Sequence, residues 1–288
     1  MIAVALLAAG GGRRFGAPKL LMPAGPGETL LSRALRLALA VGDRVLCVLP
    51  GDAALHRAAI STLAQPRILL LENPDADRGM GTSLALAARA AVALGERLEA
   101  LLVLPADVPG LEGRDLTGLV HAFRGTEGVD AAAAVDVEGR LGAPAVLAGH
   151  LMPDLFDLAW DAGARALLRR DGTRVVPVPL DRVEQDIDDF AAYRRFALRE
   201  GWDDEQPGTV LWRDDLAREA EQSCAGKAWR IGDSLAAGPS QEGRGILGFR
   251  GPGLPRGVKR VLFAGDTVPE RLALIRTAAL LALRGDDP

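Results

Sequence analysis

A run of glycines directly after an apolar segment is the feature that most constrains this chain. Residues 2–9 are apolar throughout and predict a short buried strand, which ends at the glycine triplet 10–12. Glycines let a loop turn tightly, and they let backbone N–H groups approach a ligand without a Cβ in the way. Arg13, Arg14 and Lys19 follow the triplet. Backbone amides and fixed cations together suit a polyphosphate, so the pattern predicts a nucleoside triphosphate site.

Two better-known glycine loops do not fit this segment. A Walker A loop ends in Gly-Lys followed by Ser or Thr, but here Ala17 and Pro18 follow Gly16. A dinucleotide-binding fingerprint that starts at Gly10 would need its third glycine where Phe15 stands. A simple strand-to-helix turn with solvated arginines is the alternative interpretation. The ordered cations that follow the glycines favour a ligand site over such a turn.

The composition argues against several classes of function. The 288 residues carry a net charge of -4, so no general positive field favours nucleic acid or a membrane surface. Cys47 and Cys224 could pair only with each other, which makes reduced thiols in the cytoplasm the expectation. The three histidines lack the spacing of a zinc site. No segment approaches the ~18 apolar residues of a membrane span, and the apolar N-terminus lacks the basic residues of a signal peptide.

Apolar runs alternate with amphipathic segments along the first 200 residues. Strands are predicted over 44–49, 68–71, 100–104 and 131–135 and from 175, and helices over 29–40, 53–63, 83–94, 115–123 and 190–199. In the first helix Leu31, Leu35 and Leu39 fall on one face, as packing on a sheet requires. Thr82 or Ser83 is the expected N-cap of the third helix. This alternation predicts an α/β fold, with a mostly parallel sheet and helices on both faces.

The segment from Leu7 to Pro23 is similar to the signature of the MobA-like nucleotidyltransferases, and especially to that of the molybdenum cofactor cytidylyltransferases. That signature combines an Ala-Ala-Gly loop, an Arg before Phe-Gly, and a Lys followed by Leu-Leu-x-Pro, all of which this segment carries. The resemblance implies a Rossmann-like, three-layer α/β domain. It also implies an enzyme that moves a nucleoside monophosphate from a triphosphate onto an acceptor.

The resemblance further implies which residues bind the nucleotide. The loop itself would contact it, through Leu7, Ala8, Ala9, Gly10, Gly11 and Gly12. Arg14 and Lys19 would hold the β- and γ-phosphates. The segment 79–84 resembles the Gly-Met-x-x-Ser-Leu block of the family, so Gly79 and Ser83 are expected to contact the ribose and the base. By its residues alone, the same segment also fits a simple helix start.

Two acidic residues are candidate ligands of a Mg²⁺ ion. Asp107 follows a predicted buried strand, at the edge where α/β sheets bind ligands, and matches the Asp-x-Pro block of the family. Its alternative role is to cap the next helix. Asp188 matches the second Asp of the family's Asp-Ile-Asp-Thr-Pro block, although Asp189 and Phe190 replace Thr-Pro. That departure leaves Asp186 and Asp189 open as alternatives, together with a solvated acidic run that only caps a helix.

Two further blocks extend the resemblance over about the first 200 residues. Residues 142–144 resemble a Gly-x-Pro segment near the acceptor side. Residues 163–168 resemble a Gly-Ala-Arg-x-Leu-Leu helix, although they also fit a core helix with one solvated arginine.

From Trp202 onward the composition changes and nothing resembles the family. We expect a nucleotidyltransferase domain over 1–200 and a small folded C-terminal appendage of unknown role over 201–288. Within the appendage, the sequence predicts a strand at 261–263 and a helix over 267–284.

The expected reaction is transfer of CMP from CTP to a phosphorylated acceptor, with release of pyrophosphate. Ala9 stands where guanylyltransferase relatives carry a second glycine, so its methyl group would crowd a purine and leave room for a pyrimidine. The resemblance implies molybdopterin as the acceptor, Mg²⁺ as the metal and a molybdoenzyme as a candidate partner. A sugar-1-phosphate nucleotidylyltransferase and a non-catalytic nucleotide-binding protein are the alternatives.

Overall fold

The computed structural model describes residues 1–10, 15, 18–25, 28–158, 163–180 and 186–200, and four strands between Ala228 and Gly265. In the first 200 residues the strands are β1 (Ile2–Leu7), β2 (Pro23–Gly25), β3 (Glu28–Thr29), β4 (Arg44–Pro50), β5 (Ile68–Asn73), β6 (Ala100–Pro105), β7 (Ala131–Val135), β8 (Leu141–Ala148) and β9 (Val175–Pro179). The α-helices are α1 (Leu30–Val41), α2 (Ala54–Ala59), α3 (Met80–Ala93), α4 (Gly113–Gly125), α5 (Met152–Leu155), α6 (Ala164–Leu168) and α7 (Phe190–Glu200).

A seven-stranded, mostly parallel sheet forms the centre of this structure. Its strand order is β5-β4-β1-β6-β8-β7-β9, and β8 runs antiparallel to both of its neighbours. The other pairs are parallel. The middle strands β1, β4 and β6 are buried almost throughout, because both faces of the sheet are covered. Their sequences are therefore continuous apolar runs, and the predicted α/β fold is confirmed.

The connections of the sheet place helices on both of its faces. The chain passes from β1 through α1 to β4 in one direction, and it returns across the sheet from β5 through α3 to β6. Because such parallel connections are right-handed, these opposite steps put α1 and α3 on opposite faces. Leu31 and Leu35 of α1 are fully buried and Leu39 is 8% exposed, so the predicted apolar face of α1 is confirmed.

The start of α3 corrects one prediction. The helix begins at Met80 rather than at Ser83, and Gly79 occupies the N-cap position that was predicted for Thr82 or Ser83. Gly79 has a φ of 130°, which glycine adopts more readily than any residue with a Cβ. The Thr82 hydroxyl does not cap the helix; it donates to the Gly79 carbonyl oxygen at 2.8 Å.

The helix predicted over 53–63 is also shorter than expected. It ends at Ala59, because Ile60 has left the helical region with a φ of −113° and a ψ of 7°. A single 3₁₀ turn, Ser61–Leu63, completes the segment.

Asp130, His150 and Arg174 form a hydrogen-bonded cluster at the edge of the sheet where the parallel strands begin. One carboxylate oxygen accepts the backbone N–H of Arg174 at 2.8 Å, and the other lies 3.0 Å from Nε2 of His150. These contacts hold the pKa of the Asp130 carboxyl below its usual value, mainly through the Arg174 backbone hydrogen bond. Because Ala131 opens β7 and Val175 opens β9, the cluster fixes the entry of both strands.

Cys47 lies inside β4 as a free, fully buried thiol. Burial raises the pKa of this thiol to about 12, because the thiolate would lose its hydration. Cys224 lies outside the described residues.

A separate antiparallel sheet follows in the C-terminal region. It consists of β10 (Ala228–Ile231), β11 (Ser234–Pro239), β12 (Gly245–Phe249) and β13 (Leu262–Gly265), paired in chain order. β13 corresponds to the strand predicted near 261–263. The helix predicted over 267–284 lies outside the described residues. The domain boundary at residue 200 stays a prediction, since 201–227 lie outside them as well.

The chain forms two compact units. The described residues of Met1–Gly11, Leu31–Ala53 and Ile60–Asp186 make up the first, here called the sheet unit. The described residues of Gly12–Leu30, Ala54–Ala59 and Ile187–Pro288 make up the second unit. Among the described residues, no helix is both long and apolar enough to cross a membrane.

Candidate functional site

The order of the strands defines a crevice between β1 and β6. The chain leaves β1 toward β4 and β5, and then returns to β6 on the other side of β1. At such a reversal, the helices that follow the two strands lie on opposite faces and leave an opening beyond their carboxyl ends. Leu7 ends β1 directly opposite Pro105, and the N–H of Ala106 donates to the Leu7 carbonyl at 3.1 Å. The two strands therefore end side by side.

The predicted nucleotide loop begins at this opening. Ala8 is fully buried and its N–H donates to the Val48 carbonyl at 2.9 Å, so the start of the loop is fixed by β4. Ala9 is 4% exposed, whereas Gly10 is exposed. A Cβ at Gly10 would meet no described atom within 4 Å, so packing within the described structure does not require a glycine there. Gly11, Gly12 and Arg14 lie outside the described residues.

Asp107 lies two residues beyond the end of β6, at the same opening, and is partly exposed. It does not cap α4, which was the alternative to a metal-binding role. Glu112 occupies that N-cap position, in a capping box in which Asp115 accepts the Glu112 N–H at 2.8 Å. Within the part of the chain that the structure describes, no group of three or more His, Cys, Asp or Glu residues is arranged to hold a metal ion.

The N-terminal turn of α3 is attached to the carboxyl end of β5 by Asn73. The Asn73 amide nitrogen donates to the hydroxyls of Thr82 and Ser83, both at 2.9 Å, and its oxygen accepts the Asp75 N–H at 3.0 Å. Asn73 and Ser83 are each 4% exposed. The predicted contact of Gly79 and Ser83 with the nucleotide stays a prediction. Sequence reasoning missed Asn73, although an Asn-Pro pair directly after an apolar strand was a usable signal.

In the second unit, Lys19 and Asp188 form an ion pair. Lys19 Nζ lies 3.6 Å from Asp188 Oδ1, and the two side chains are 9% and 40% exposed. Lys19 belongs to a buried 3₁₀ turn, Lys19–Leu21, so its backbone is fixed as well. A buried ammonium group is costly unless it has an anionic partner, and Asp188 provides one.

Tyr193 connects the segment around Lys19 to helix α7. Its ring packs edge to face against Phe15, with centroids 6.0 Å apart, and its hydroxyl donates to the Pro23 carbonyl at 3.1 Å. Tyr193 is fully buried. Asp189 caps the same helix, since its carboxylate accepts the N–H of Ala192 at 2.7 Å. Sequence reasoning missed Tyr193, and an isolated tyrosine in an amphipathic helix gives no local signal of such a contact.

Two more of the segments singled out by sequence lie together in the sheet unit. The position that a Cβ would take at Gly142 lies 3.5 Å from Nε and 3.6 Å from Nη2 of Arg165, so the Arg165 guanidinium covers Gly142. The corresponding position at Gly163 lies 3.6 Å from Sδ of Met80. The structure thus brings the start of β8, the start of α6 and the start of α3 close to one another.

A doubly wound sheet in which Gly10 and Asp107 follow neighbouring strands at the reversal point defines a Rossmann-like α/β fold. The comparison with known families agrees and is more specific. The model of the MobA-like NTP transferase domain matches residues 4–175. The chain therefore belongs to this family of nucleotidyltransferases.

Similar proteins differ in how much of the chain they match. A probable molybdenum cofactor guanylyltransferase from Rhodopirellula baltica is 35% identical over 120 residues, which are 41% of this chain and 54% of that protein. The chain thus spans about half the length of this curated relative.

Two solved structures share the fold of about two thirds of this chain. A nucleotidyl transferase from Methanothermobacter thermautotroptrophicus has a TM-score of 0.57 and 22% identity, covering 70% of this chain and 97% of that one. Rv0371c from Mycobacterium tuberculosis, in complex with manganese, has a TM-score of 0.53 and 22% identity, covering 68% and 96%. At such low identity the likeness shows the fold alone.

Proposed function

We propose that this protein transfers a nucleoside monophosphate from a nucleoside triphosphate to a phosphorylated small molecule. A phosphate oxygen of the acceptor attacks the α-phosphorus, the bond between the α-phosphorus and its bridging oxygen to the β-phosphorus breaks, and pyrophosphate leaves. The acceptor oxygen is already ionised, so no general base is required. The protein contributes positioning and neutralisation of charge.

One observation carries this proposal: Gly10 and Asp107 follow neighbouring parallel strands at the point where the direction of the sheet reverses. Among the described residues, no atom lies within 4 Å of the position that a Cβ at Gly10 would take, which leaves its backbone open to a phosphate, and Asp107 brings a carboxylate to the same opening. Gly11 and Gly12 would offer further backbone amides. Because Glu112 already caps α4, a ligand-binding role for Asp107 is the better explanation of its position.

Two basic and two acidic side chains are the remaining residues that we propose for binding the phosphates and a divalent cation. Arg14 and Lys19 would hold the β- and γ-phosphates and stabilise the charge that builds on leaving pyrophosphate. Asp107 and Asp188 would hold a divalent cation, since carboxylate oxygens are hard ligands that suit Mg²⁺, and such an ion would neutralise the phosphate oxygens. Asp189 already serves as a helix cap, which favours Asp188 as the second ligand. The manganese complex of Rv0371c is in keeping with a divalent metal in this fold.

The identities of the base and of the acceptor rest on the sequence. Ala9 favours CTP, because its methyl group would crowd a purine, although the curated relative is named as a guanylyltransferase. Leu7 and Ala8 would add backbone contacts, and Gly79 and Ser83 would contact the ribose and the base. We propose molybdopterin as the acceptor and, from the same resemblance, a molybdoenzyme as the recipient of the product.

The test is a screen of pyrophosphate release. The four ribonucleoside triphosphates are combined with molybdopterin or with sugar 1-phosphates, in the presence of Mg²⁺. We expect release with CTP and molybdopterin, and less with GTP. Release with a sugar 1-phosphate alone would identify the sugar-phosphate alternative. Binding of a triphosphate without release, for every acceptor, would support the non-catalytic alternative.

A further inference from the structure

We infer that Asn73 is a positioning residue of the nucleotide site, because its side-chain amide fixes the Ser83 hydroxyl as a hydrogen-bond donor toward the bound nucleotide. This inference rests on the proposed function, in which Ser83 contacts the nucleotide. It adds a role for Asn73 and a direction for the hydrogen bond of Ser83. Asn73 itself contacts the hydroxyl and not the ligand.

Asn73 lies at the edge of the sheet where the predicted nucleotide loop begins. It is the last residue of β5, and it is paired with Pro50, the last residue of β4. Because β5, β4 and β1 are parallel, their carboxyl ends share the edge at which Gly10 follows β1. Helix α3 starts from this edge and packs on β1 and β4 as well as on β5. Asn73 therefore joins the beginning of α3 to the nucleotide edge, within the sheet unit.

The hydrogen bonds of Asn73 determine which way its amide points. A backbone N–H can only donate, so the Asn73 atom that lies 3.0 Å from the Asp75 nitrogen is the amide oxygen. The amide nitrogen then faces the hydroxyls of Thr82 and Ser83, both at 2.9 Å. An amide nitrogen carries two hydrogens and accepts nothing, so each hydroxyl oxygen accepts one hydrogen from it. Asn73 is only 4% exposed, which shields these bonds from water.

Thr82 and Ser83 differ in where their own hydroxyl hydrogens go. Thr82 Oγ1 lies 2.8 Å from the Gly79 carbonyl oxygen and 3.2 Å from that of Asp75, so it donates to the backbone. Ser83 Oγ accepts from Asn73, and among the described residues no group accepts the Ser83 hydrogen. A buried hydroxyl hydrogen without an acceptor is costly, and an acceptor atom of a bound nucleotide would remove that cost.

The direction of the Ser83 hydrogen bond therefore depends on Asn73. While the amide donates to Ser83 Oγ, the Ser83 hydrogen stays available to the nucleotide. A carboxylate in place of the amide would accept that hydrogen and take it away from the nucleotide. Thr82 does not depend on Asn73 in this way, because its hydrogen already goes to a backbone carbonyl.

The first test compares the two neighbouring hydroxyls by calorimetric binding of CTP to the full chain, in the presence of Mg²⁺. Ser83→Ala should weaken binding by about three- to tenfold, the usual effect of one neutral hydrogen bond. Thr82→Val is the matched control, since it removes a hydroxyl that also bonds to Asn73. It should lower the melting temperature and leave CTP binding unchanged. Equal weakening in both variants, or unchanged binding in Ser83→Ala, would overturn the inference.

The second test separates positioning from structural support. Asn73→Asp keeps the size of the side chain and an acceptor for the Asp75 N–H, but it reverses the bond to Ser83. In the wild-type background it should weaken CTP binding at least as much as Ser83→Ala does. In the Ser83→Ala background it should weaken binding by a smaller factor, because no hydroxyl remains to be redirected.

Charge repulsion from the new carboxylate, or loosening of α3, would act equally in both backgrounds. The same factor in both would therefore overturn the role of Asn73. If Asn73→Asp does not fold, Asn73→Ala is compared in the same two backgrounds, with the same expected difference. GTP replaces CTP as the probe if the wild type binds only GTP.

Failure of the proposed function would look different. If the wild type binds neither CTP nor GTP in the presence of Mg²⁺, the proposed function is contradicted and the inference falls with it. If the wild type binds a triphosphate while Ser83→Ala and Thr82→Val behave alike, only the inference about Asn73 and Ser83 is overturned.

Discussion

The two groups of candidate site residues are held in place by different kinds of structure. In the sheet unit, Gly10 and Asp107 follow adjacent parallel strands, so backbone pairing between β1 and β6 sets their positions. In the second unit, Lys19 and Asp188 are held by an ion pair of their own and by the side-chain contacts of Tyr193.

This difference determines what a substitution can reveal. Backbone hydrogen bonds do not depend on the side chains that they position, so replacing Asp107 should affect chemistry while leaving the fold intact. Lys19 and Tyr193 are buried and bonded to their neighbours, so replacing them should affect geometry and stability together.

Asp107→Asn should lower turnover by on the order of a thousandfold or more, since the variant keeps the shape but loses a charged ligand of the metal. Triphosphate binding should weaken far less, and the melting temperature should stay near the wild-type value. Pyrophosphate release and equilibrium binding measure the two effects. Asp186→Asn is the control, with a mild effect expected. Normal turnover in Asp107→Asn would show that the metal is bound elsewhere.

Lys19→Ala should lower turnover by about ten- to a thousandfold, because a cation on the leaving pyrophosphate is lost. Asp188→Asn should also cripple turnover. The two residues contact each other, so the double variant should lose less than the two single losses combined. A double-mutant cycle in turnover and in unfolding free energy measures this. Strict additivity in both would contradict a functional coupling between them.

Tyr193→Phe should lower the unfolding free energy by about 1–3 kcal/mol, since it leaves the buried Pro23 carbonyl without its donor. The edge-to-face contact with Phe15 would remain. We expect a several-fold rise in KM for the triphosphate, because Phe15 and Pro23 flank Lys19 in the sequence. Denaturant unfolding and steady-state kinetics are the measurements. Phe196→Leu, a buried change on the same helix, is the control and should lower stability but leave KM unchanged. If KM rises as much in Phe196→Leu as in Tyr193→Phe, the role of Tyr193 is purely structural.

Asp130→Asn should have the smallest effect: it should lower the free energy of unfolding by about 1 kcal/mol or less at neutral pH and leave KM unchanged. The folded-state pKa of Asp130 is lowered, so its contribution is present above the unfolded-state value of about 3.9 and is lost as the pH falls through the lower folded-state pKa. Unfolding curves of wild type and variant should therefore converge in strong acid. If the two proteins still differ in unfolding free energy below about pH 2, the effect of the substitution comes from packing instead of from the charge.

Much of the sheet could be predicted from the sequence because its strands are buried on both faces. The run from Arg44 to Leu49 is apolar and ends at Pro50 and Gly51, which gives both the type of element and its end. Asp107 was identified for the same reason, because a carboxylate directly after a continuous apolar run is easy to recognise in the sequence.

The remaining features depend on contacts between distant residues. The predicted start of α3 was wrong because Thr82 and Ser83 are residue types that commonly cap helices. In the structure, the side-chain amide of Asn73, nine and ten residues earlier, donates to both hydroxyls. The contact between Tyr193 and Pro23 spans 170 residues, and no local pattern could predict it. Arg165 shows the same limit, since its relation to Gly142 appears only once β8 is paired.

The buried thiol of Cys47 makes strand β4 a reporter of how the sheet opens. Alkylating reagents react with the thiolate, and a thiol with a pKa of about 12 is almost entirely protonated at neutral pH. Reaction at Cys47 therefore requires β4 to reach solvent, through either partial or complete unfolding. When opening and closing are fast, the alkylation rate gives the free energy of that opening in the unmodified protein. The same experiment, repeated with added triphosphate, shows whether ligand binding extends its stabilisation into the middle of the sheet.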